Sequence, residues 1–216
     1  MFHVAVVGAG AIGNPIAWGL SLRKDLAPIQ LIDGDVVERS NLARQPWFGE
    51  DDIGCNKAVT LATRLAGGET PLYASPEMLT QSNREILLAD ADIVMDATDN
   101  WEARLVIQEW AEQHQRPWIF NSAVRLEGMS TRLDPGGPCL RCWFDTKETQ
   151  GPACFEAGVL GSVTLAVAGR ALLLLDDWIR QGSSPDQGTL WLIDRRFGSD
   201  RSIHSGPLRC DHGGHG

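Results

Sequence analysis

Residues 33–45 carry the densest chemistry in the chain: Asp33-Gly34-Asp35-Val36-Val37-Glu38-Arg39-Ser40-Asn41-Leu42-Ala43-Arg44-Gln45. A carboxylate such as Asp33 can hold a ribose hydroxyl. Asn41, Arg44 and Gln45 then supply a donor, a fixed cation and an amide. An arginine fork matches the oxygens of a phosphate. Acids for ribose with arginine for phosphate describe a nucleoside triphosphate site. Lys57 adds either a solvated charge or a point cation aimed at the same phosphates. Asp99 adds either a magnesium carboxylate or a cap for the helix that follows. Nucleotidyl transfer needs phosphate charge neutralised and the attacking group held in line. A dinucleotide dehydrogenase needs a glycine loop and one ribose acid; it has no use for Arg44, Lys57 and Asp99.

The elements that must position these residues are legible from hydrophobic pattern. Residues 2–7 form an apolar run, read as a buried parallel strand. Gly8-Ala9-Gly10-Ala11-Ile12-Gly13 follows and turns into a helix predicted over 11–22, whose first N–H groups favour phosphate. Alone, Gly8, Gly10 and Gly13 are a weak signal for NAD, FAD or ATP. Residues 29–32 are the second strand, so 33–45 sits at its carboxyl end, where open α/β sheets bind ligands. A helix is predicted over 56–65, a short strand over 72–74, and a helix with a serine cap over 82–88. The strand at 92–97 delivers Asp99, and a helix over 101–113 follows. Strands at 118–122, 128–133 and 190–193 and a long apolar helix at 158–180 complete the reading. The fold expected is α/β and Rossmann-like: a mostly parallel sheet with flanking helices, a C-terminal antiparallel portion and a zinc knuckle, in one domain over 1–216.

The knuckle is Cys139-Leu140-Arg141-Cys142, after the breaker Asp134-Pro135-Gly136-Gly137-Pro138. Structural zinc takes four sulfur or nitrogen ligands. On the zinc reading two come from Cys139 and Cys142, and Cys210 with either His215 or His212 in the tail supplies the rest, with 134–155 and 206–216 forming the knuckle and crossover loop; the alternative is a pair of free or redox cysteines and a disordered tail. Cys154 is a spare ligand, a small packing residue, or a thiolate poised before the long helix. Cys55 is read as structural.

Composition narrows the classes. A net charge of -9 over 216 residues disfavours nucleic acid as the main partner. The longest apolar run, 157–169, is shorter than the ~18–20 residues a membrane span needs, so no membrane is expected. The apolar start is too short for a signal peptide, and a cysteine pair without export favours metal or catalysis over disulfides. A cytoplasmic location is expected.

Taken together, these motifs resemble the ThiF/MoeB/HesA family, bacterial relatives of ubiquitin-activating enzymes. The matching pieces are the glycine loop, Asp33-Gly34-Asp35-Val36-Val37-Glu38, Ser40-Asn41-Leu42-Ala43-Arg44-Gln45, Asp52-Ile53-Gly54 and Lys57-Ala58. Asp96-Ala97-Thr98-Asp99-Asn100, Pro138-Cys139-Leu140-Arg141-Cys142 and Cys154-Phe155-Glu156-Ala157-Gly158-Val159-Leu160-Gly161 continue the match. The resemblance implies adenylation of a protein carboxylate: the C-terminal Gly-Gly of a small ubiquitin-like or sulfur-carrier protein attacks the α-phosphorus of ATP and pyrophosphate leaves. It implies a nucleotide set of Gly8, Gly10, Gly13, Asp33, Asp35, Asn41, Arg44, Gln45, Lys57, Asp99 and Asn100. Arg44, Lys57, Asp99 and Cys154 would be catalytic, with magnesium on Asp99. In sulfur-carrier members the acyl group passes on to sulfur for thiamine or molybdopterin synthesis.

Two positions depart from the family pattern. Members carry a helix before the first strand, with an arginine that reaches a partner subunit's ATP; this sequence starts at the strand, so a homodimer rests on the resemblance alone. The tail places Gly213 where a second Cys-x-x-Cys would put its second sulfur, so histidine is expected to substitute. The competing readings are an NAD-dependent oxidoreductase, a relative adenylating a tRNA base or a peptide, and a non-catalytic scaffold. Intact Arg44, Lys57 and Asp99 weigh against the scaffold.

Overall fold

The computed structural model describes residues 1–144, 158–182 and 188–204. The first half alternates strand and helix: β1 (Val4–Val7), α1 (Gly13–Ser21), β2 (Ile29–Ile32), α2 (Lys57–Arg64), β3 (Leu72–Ser75), α3 (Arg84–Leu87), β4 (Ile93–Asp96) and α4 (Trp101–His114). The second half is β5 (Trp118–Val124), β6 (Glu127–Leu133), α5 (Leu140–Trp143), α6 (Gly161–Gln181), β7 (Thr189–Asp194) and β8 (Ser199–His204). They build one sheet in the order β3-β2-β1-β4-β5-β6-β7-β8. Pairing is parallel from β3 to β5 and antiparallel from β5 to β8.

β1 shows why the parallel strands are apolar throughout. Val4 and Val6 point into a layer with Ile16 and Leu20 of α1 and Val167 and Leu174 of α6. Ala5 and Val7 point into the opposite layer with Ile107 and Trp110 of α4. Both faces are covered by helices, so neither strand face can be polar. The chain order reverses between β1 and β4, which opens a crevice at their carboxyl ends.

Two local expectations need correction, and one strand is added. α1 starts at Gly13 rather than at residue 11, because the glycine turn extends through Ile12. α3 spans only Arg84–Leu87 and has no serine cap: the Ser82 hydroxyl bonds that of Thr80, and Asn83 takes the Thr80 N–H. β8 was not anticipated. Ser-Asp-Arg-Ser-Ile-His has no apolar alternation, and it is the ladder to β7 that makes it a strand. Among the described residues no helix is long and apolar enough to cross a membrane.

Candidate nucleotide site

The crevice is a cleft of about 700 Å³. Gly8, Gly10, Asp33, Asp35, Asn41, Arg44, Gln45, Lys57, Asp99 and Asn100 all line it; Gly13 does not. The three glycines have separate jobs. Gly8 has φ +98°, and a Cβ there would lie 2.6 Å from the Ala97 carbonyl oxygen, so β1 and β4 meet only over a glycine. A Cβ on Gly13 would lie 1.9 Å from the Gly8 carbonyl oxygen, so this residue closes the turn. Gly10 is open, with the Gln45 side-chain nitrogen 3.7 Å from where its Cβ would be.

Asp33 is buried and ties β2 to the glycine loop. Its carboxylate accepts the Ala9 N–H at 2.6 Å and the Asp35 N–H at 2.8 Å. Burial pushes its carboxyl above the ordinary value, while those two N–H groups and nearby Lys57 pull the other way. Asn56 caps α2 by accepting the Val59 N–H and donates to the carbonyls of Asp33 and Asp35. That clamp sets the first turn of α2 against the acids. Lys57 is therefore not a solvated charge: it is 9% exposed, faces the cleft and donates to Asp35 at 2.9 Å.

The 33–45 segment is shaped by its own side chains. The buried Asn41 accepts the Glu38 N–H at 3.0 Å, starting a short 3-10 turn over Arg39–Asn41. Arg44, one turn on, donates to the Ser40 carbonyl at 2.8 Å. Gln45 is buried, and its amide oxygen has no hydrogen-bond partner. Across the cleft, Asn100 rather than Asp99 caps α4, accepting the Ala103 N–H at 2.9 Å. Asp99 is left exposed, and its carboxylate makes no hydrogen bond or ion pair with the described residues.

Sequence reasoning missed what lies under Asp99. Asp96, fully buried, pairs with Arg104 at 3.3 Å and accepts both the N–H and the hydroxyl of Thr98. Burial pushes its carboxyl up, and Arg104 and Thr98 pull it down. Asn121 of β5 donates to the Asp96 carbonyl and accepts from Ser130 of β6. The one sequence signal was an acid closing an apolar strand, Ile93-Val94-Met95-Asp96.

The cysteine pair lies off the cleft. The Cys139 and Cys142 sulfurs stand 3.8 Å apart and form no disulfide with each other. No group of three or more metal-binding side chains exists among the described residues. Cys154, Cys210, His212 and His215 lie outside them.

A parallel sheet opening onto a glycine turn, a buried acid and two cations defines an α/β protein of the Rossmann-like class with a candidate nucleotide site. The chain belongs to the ThiF family, whose model matches residues 1–206. It is 35% identical over 163 residues to the SAMP-activating enzyme E1 of Haloferax volcanii, covering 74% of this chain and 60% of that one. It is 33% identical over 171 residues to the sulfur carrier protein ThiS adenylyltransferase of Bacillus subtilis, covering 77% and 51%. The chain thus spans about half to three fifths of the length of these relatives. A crystal structure of E. coli MccB with ATP shares the fold at a TM-score of 0.78 and 20% identity, covering 96% of this chain and 64% of that one.

Proposed function

We propose that the protein is an ATP-dependent adenylyltransferase that activates the C-terminal Gly-Gly carboxylate of a small ubiquitin-like or sulfur-carrier protein. The observation that carries this reading is the convergence of Arg44, Lys57 and Asp99 on one cleft that also holds Gly10 and Asp33. Asp33 would hold the ribose, and Asn41, Arg44, Gln45 and Lys57 the triphosphate. Asp99 fits magnesium: it is an exposed carboxylate in the cleft, free of other described partners, and oxygen is the donor that ion prefers. The carrier carboxylate attacks the α-phosphorus, the bond to the β-phosphate oxygen breaks, and pyrophosphate leaves with its charge met by the two cations. The named activities of the Haloferax and Bacillus relatives support a carrier protein as substrate. An NAD-dependent oxidoreductase would leave Arg44, Lys57 and Asp99 without work.

Zinc is proposed at Cys139 and Cys142, completed by Cys210 and His215 or His212. Two sulfurs each about 2.3 Å from a tetrahedral zinc stand about 3.8 Å apart, the separation found here. The path of the chain also fits. β8 ends at His204 opposite Thr189, whose carbonyl accepts the Thr131 hydroxyl near the end of β6, where the chain leads on to Cys139. Cys154 is proposed as the acceptor of the acyl group from the adenylate, its thiolate forming a thioester as the acyl–phosphate bond breaks and AMP leaves. If so, Cys154→Ala keeps pyrophosphate exchange but abolishes the thiol-sensitive carrier adduct; an adduct that persists places the nucleophile elsewhere.

The test of the main reading is ATP–pyrophosphate exchange with magnesium and a carrier ending in Gly-Gly. Arg44→Ala, Lys57→Ala and Asp99→Ala should each lose at least ~100-fold, the scale for removing one preorganised charge partner. Full exchange in all three variants, or nicotinamide binding in place of exchange, rejects the assignment.

A further inference from the structure

Asp99 is held by no side chain of its own, yet its carboxylate has to stay in one place to be useful. What fixes it is underneath. The Arg104 guanidinium, buried in the first turn of α4, reaches back under the loop that leaves β4. It donates to the Asp96 carboxylate at 3.3 Å, to the Thr98 carbonyl at 2.8 Å and to the Asn121 carbonyl at 3.3 Å. The same Asp96 carboxylate takes the Thr98 N–H at 2.9 Å and the Thr98 hydroxyl at 2.7 Å. Thr98 is therefore gripped at its N–H, its hydroxyl and its carbonyl, and Asp99 is the next residue.

Arg104 is itself immobilised. Its guanidinium lies 5.4 Å from the Trp101 ring centroid and 5.0 Å from that of Phe120. Neither Asp96 nor Arg104 lines the cleft, so neither touches a nucleotide bound there. A charge pair in this position is also a poor way to gain stability, because desolvating two ions offsets most of their attraction. Its geometry does something a pair of leucines cannot: it spans the end of β4, the middle of β5 and the start of α4 and pins the one residue before Asp99.

We infer that Arg104 and Asp96 are positioning residues that set the Asp99 carboxylate for the metal ion of a bound nucleotide. This rests on the reading of Asp99 as the magnesium residue. Removing the pair should cost metal affinity of the nucleotide complex, with little effect on nucleotide held by the glycine loop, Asp33 and Lys57.

The experiment uses manganese as the paramagnetic stand-in for magnesium and an α,β-methylene analogue of ATP. Manganese affinity of the protein–nucleotide complex is read by electron paramagnetic resonance, and metal-free nucleotide affinity by calorimetry. Asp96→Asn/Arg104→Met removes both charges together, so no lone buried charge is left, and the asparagine oxygen still accepts from Thr98. Manganese affinity should fall at least ~10-fold, the usual scale for losing a group that orients a metal ligand. Metal-free nucleotide affinity should stay within about twofold, and adding Asp99→Asn should cost less manganese affinity on this background than Asp99→Asn costs in the wild-type protein. Arg104→Lys keeps Asp96 compensated but cannot span three acceptors, so it should show a smaller loss in the same direction. Wild-type manganese affinity in both variants overturns the inference, as does an equal loss with and without metal. If manganese does not bind the wild-type nucleotide complex either, the reading of Asp99 fails and takes this inference with it.

Discussion

Gly10 and Gly13 look alike in the sequence but act through different atoms. Gly13→Ala drives a methyl into the Gly8 backbone carbonyl, and backbone cannot step aside cheaply. Its denaturation should show a loss of about 1–3 kcal/mol or more, as for overpacked sites. Gly10→Ala meets only the end of the Gln45 side chain at 3.7 Å, and its stability should stay within about 1 kcal/mol of the parent. The new methyl stands at the cleft, however, so nucleotide affinity by calorimetry should fall by about tenfold or more. Equal stability losses in the two variants would mean that the loop, rather than the cleft, needs both glycines. Gln45 belongs to the same scale: its buried, unbonded amide oxygen is a polar group waiting for a donor.

At the scale of elements, the helix α2 is anchored to the site at its start and to the preceding turn near its end. Asn56 holds its first turn to Asp33 and Asp35, and Arg64 near its end grips both oxygens of Asp52 at 2.9 Å. The Gly49 N–H and, after it, Arg64 hold the Asp52 carboxyl below its ordinary value against the opposing effect of burial. The sign follows from linkage. A carboxyl with a depressed folded pKa contributes stability above its unfolded value of about 3.9, and that contribution is lost as pH falls through the folded value. Asp52→Asn should therefore unfold at lower urea than the parent at pH 7. The two midpoints should converge below pH 3.9. A gap that persists unchanged in acid would mean that the asparagine fails for a packing reason instead of a lost charge.

At the scale of the whole molecule, the sheet divides its work. The parallel half, β3 to β5, opens onto the cleft; the antiparallel half, β5 to β8, leads to the cysteine pair. Because Cys139 and Cys142 lie away from the cleft, zinc should matter to stability and not to nucleotide. Metal analysis should find about one zinc per chain. Chelation, Cys139→Ser, or truncation before Cys210 should each lower the melting temperature while leaving nucleotide affinity at 25 °C nearly unchanged. A metal-free protein with unaltered melting would remove the knuckle from the account.

Much of this was legible in the chain itself. β2 (Ile29–Ile32) and the start of α4 at Trp101 fall where hydrophobic period and caps put them, because both depend on neighbours close in sequence. The members of the cleft were legible too, since they follow strand ends and a glycine turn. What local pattern could not decide were the questions of partnership. Whether Lys57 was solvated or turned inward depended on Asn56 bonding the carbonyls of Asp33 and Asp35, distant in sequence. Whether Asp99 or Asn100 capped α4 depended on which side chain reached the Ala103 N–H. The Asp96–Arg104 pair sits where Asn121 of β5, itself bonded by Ser130 of β6, holds the Asp96 carbonyl, and β8 is a strand only because β7 lies beside it. Strand, helix and turn follow from short-range sterics and period. Burial, pairing and the aim of a charge are set by elements distant in sequence, and only the folded sheet brings those together.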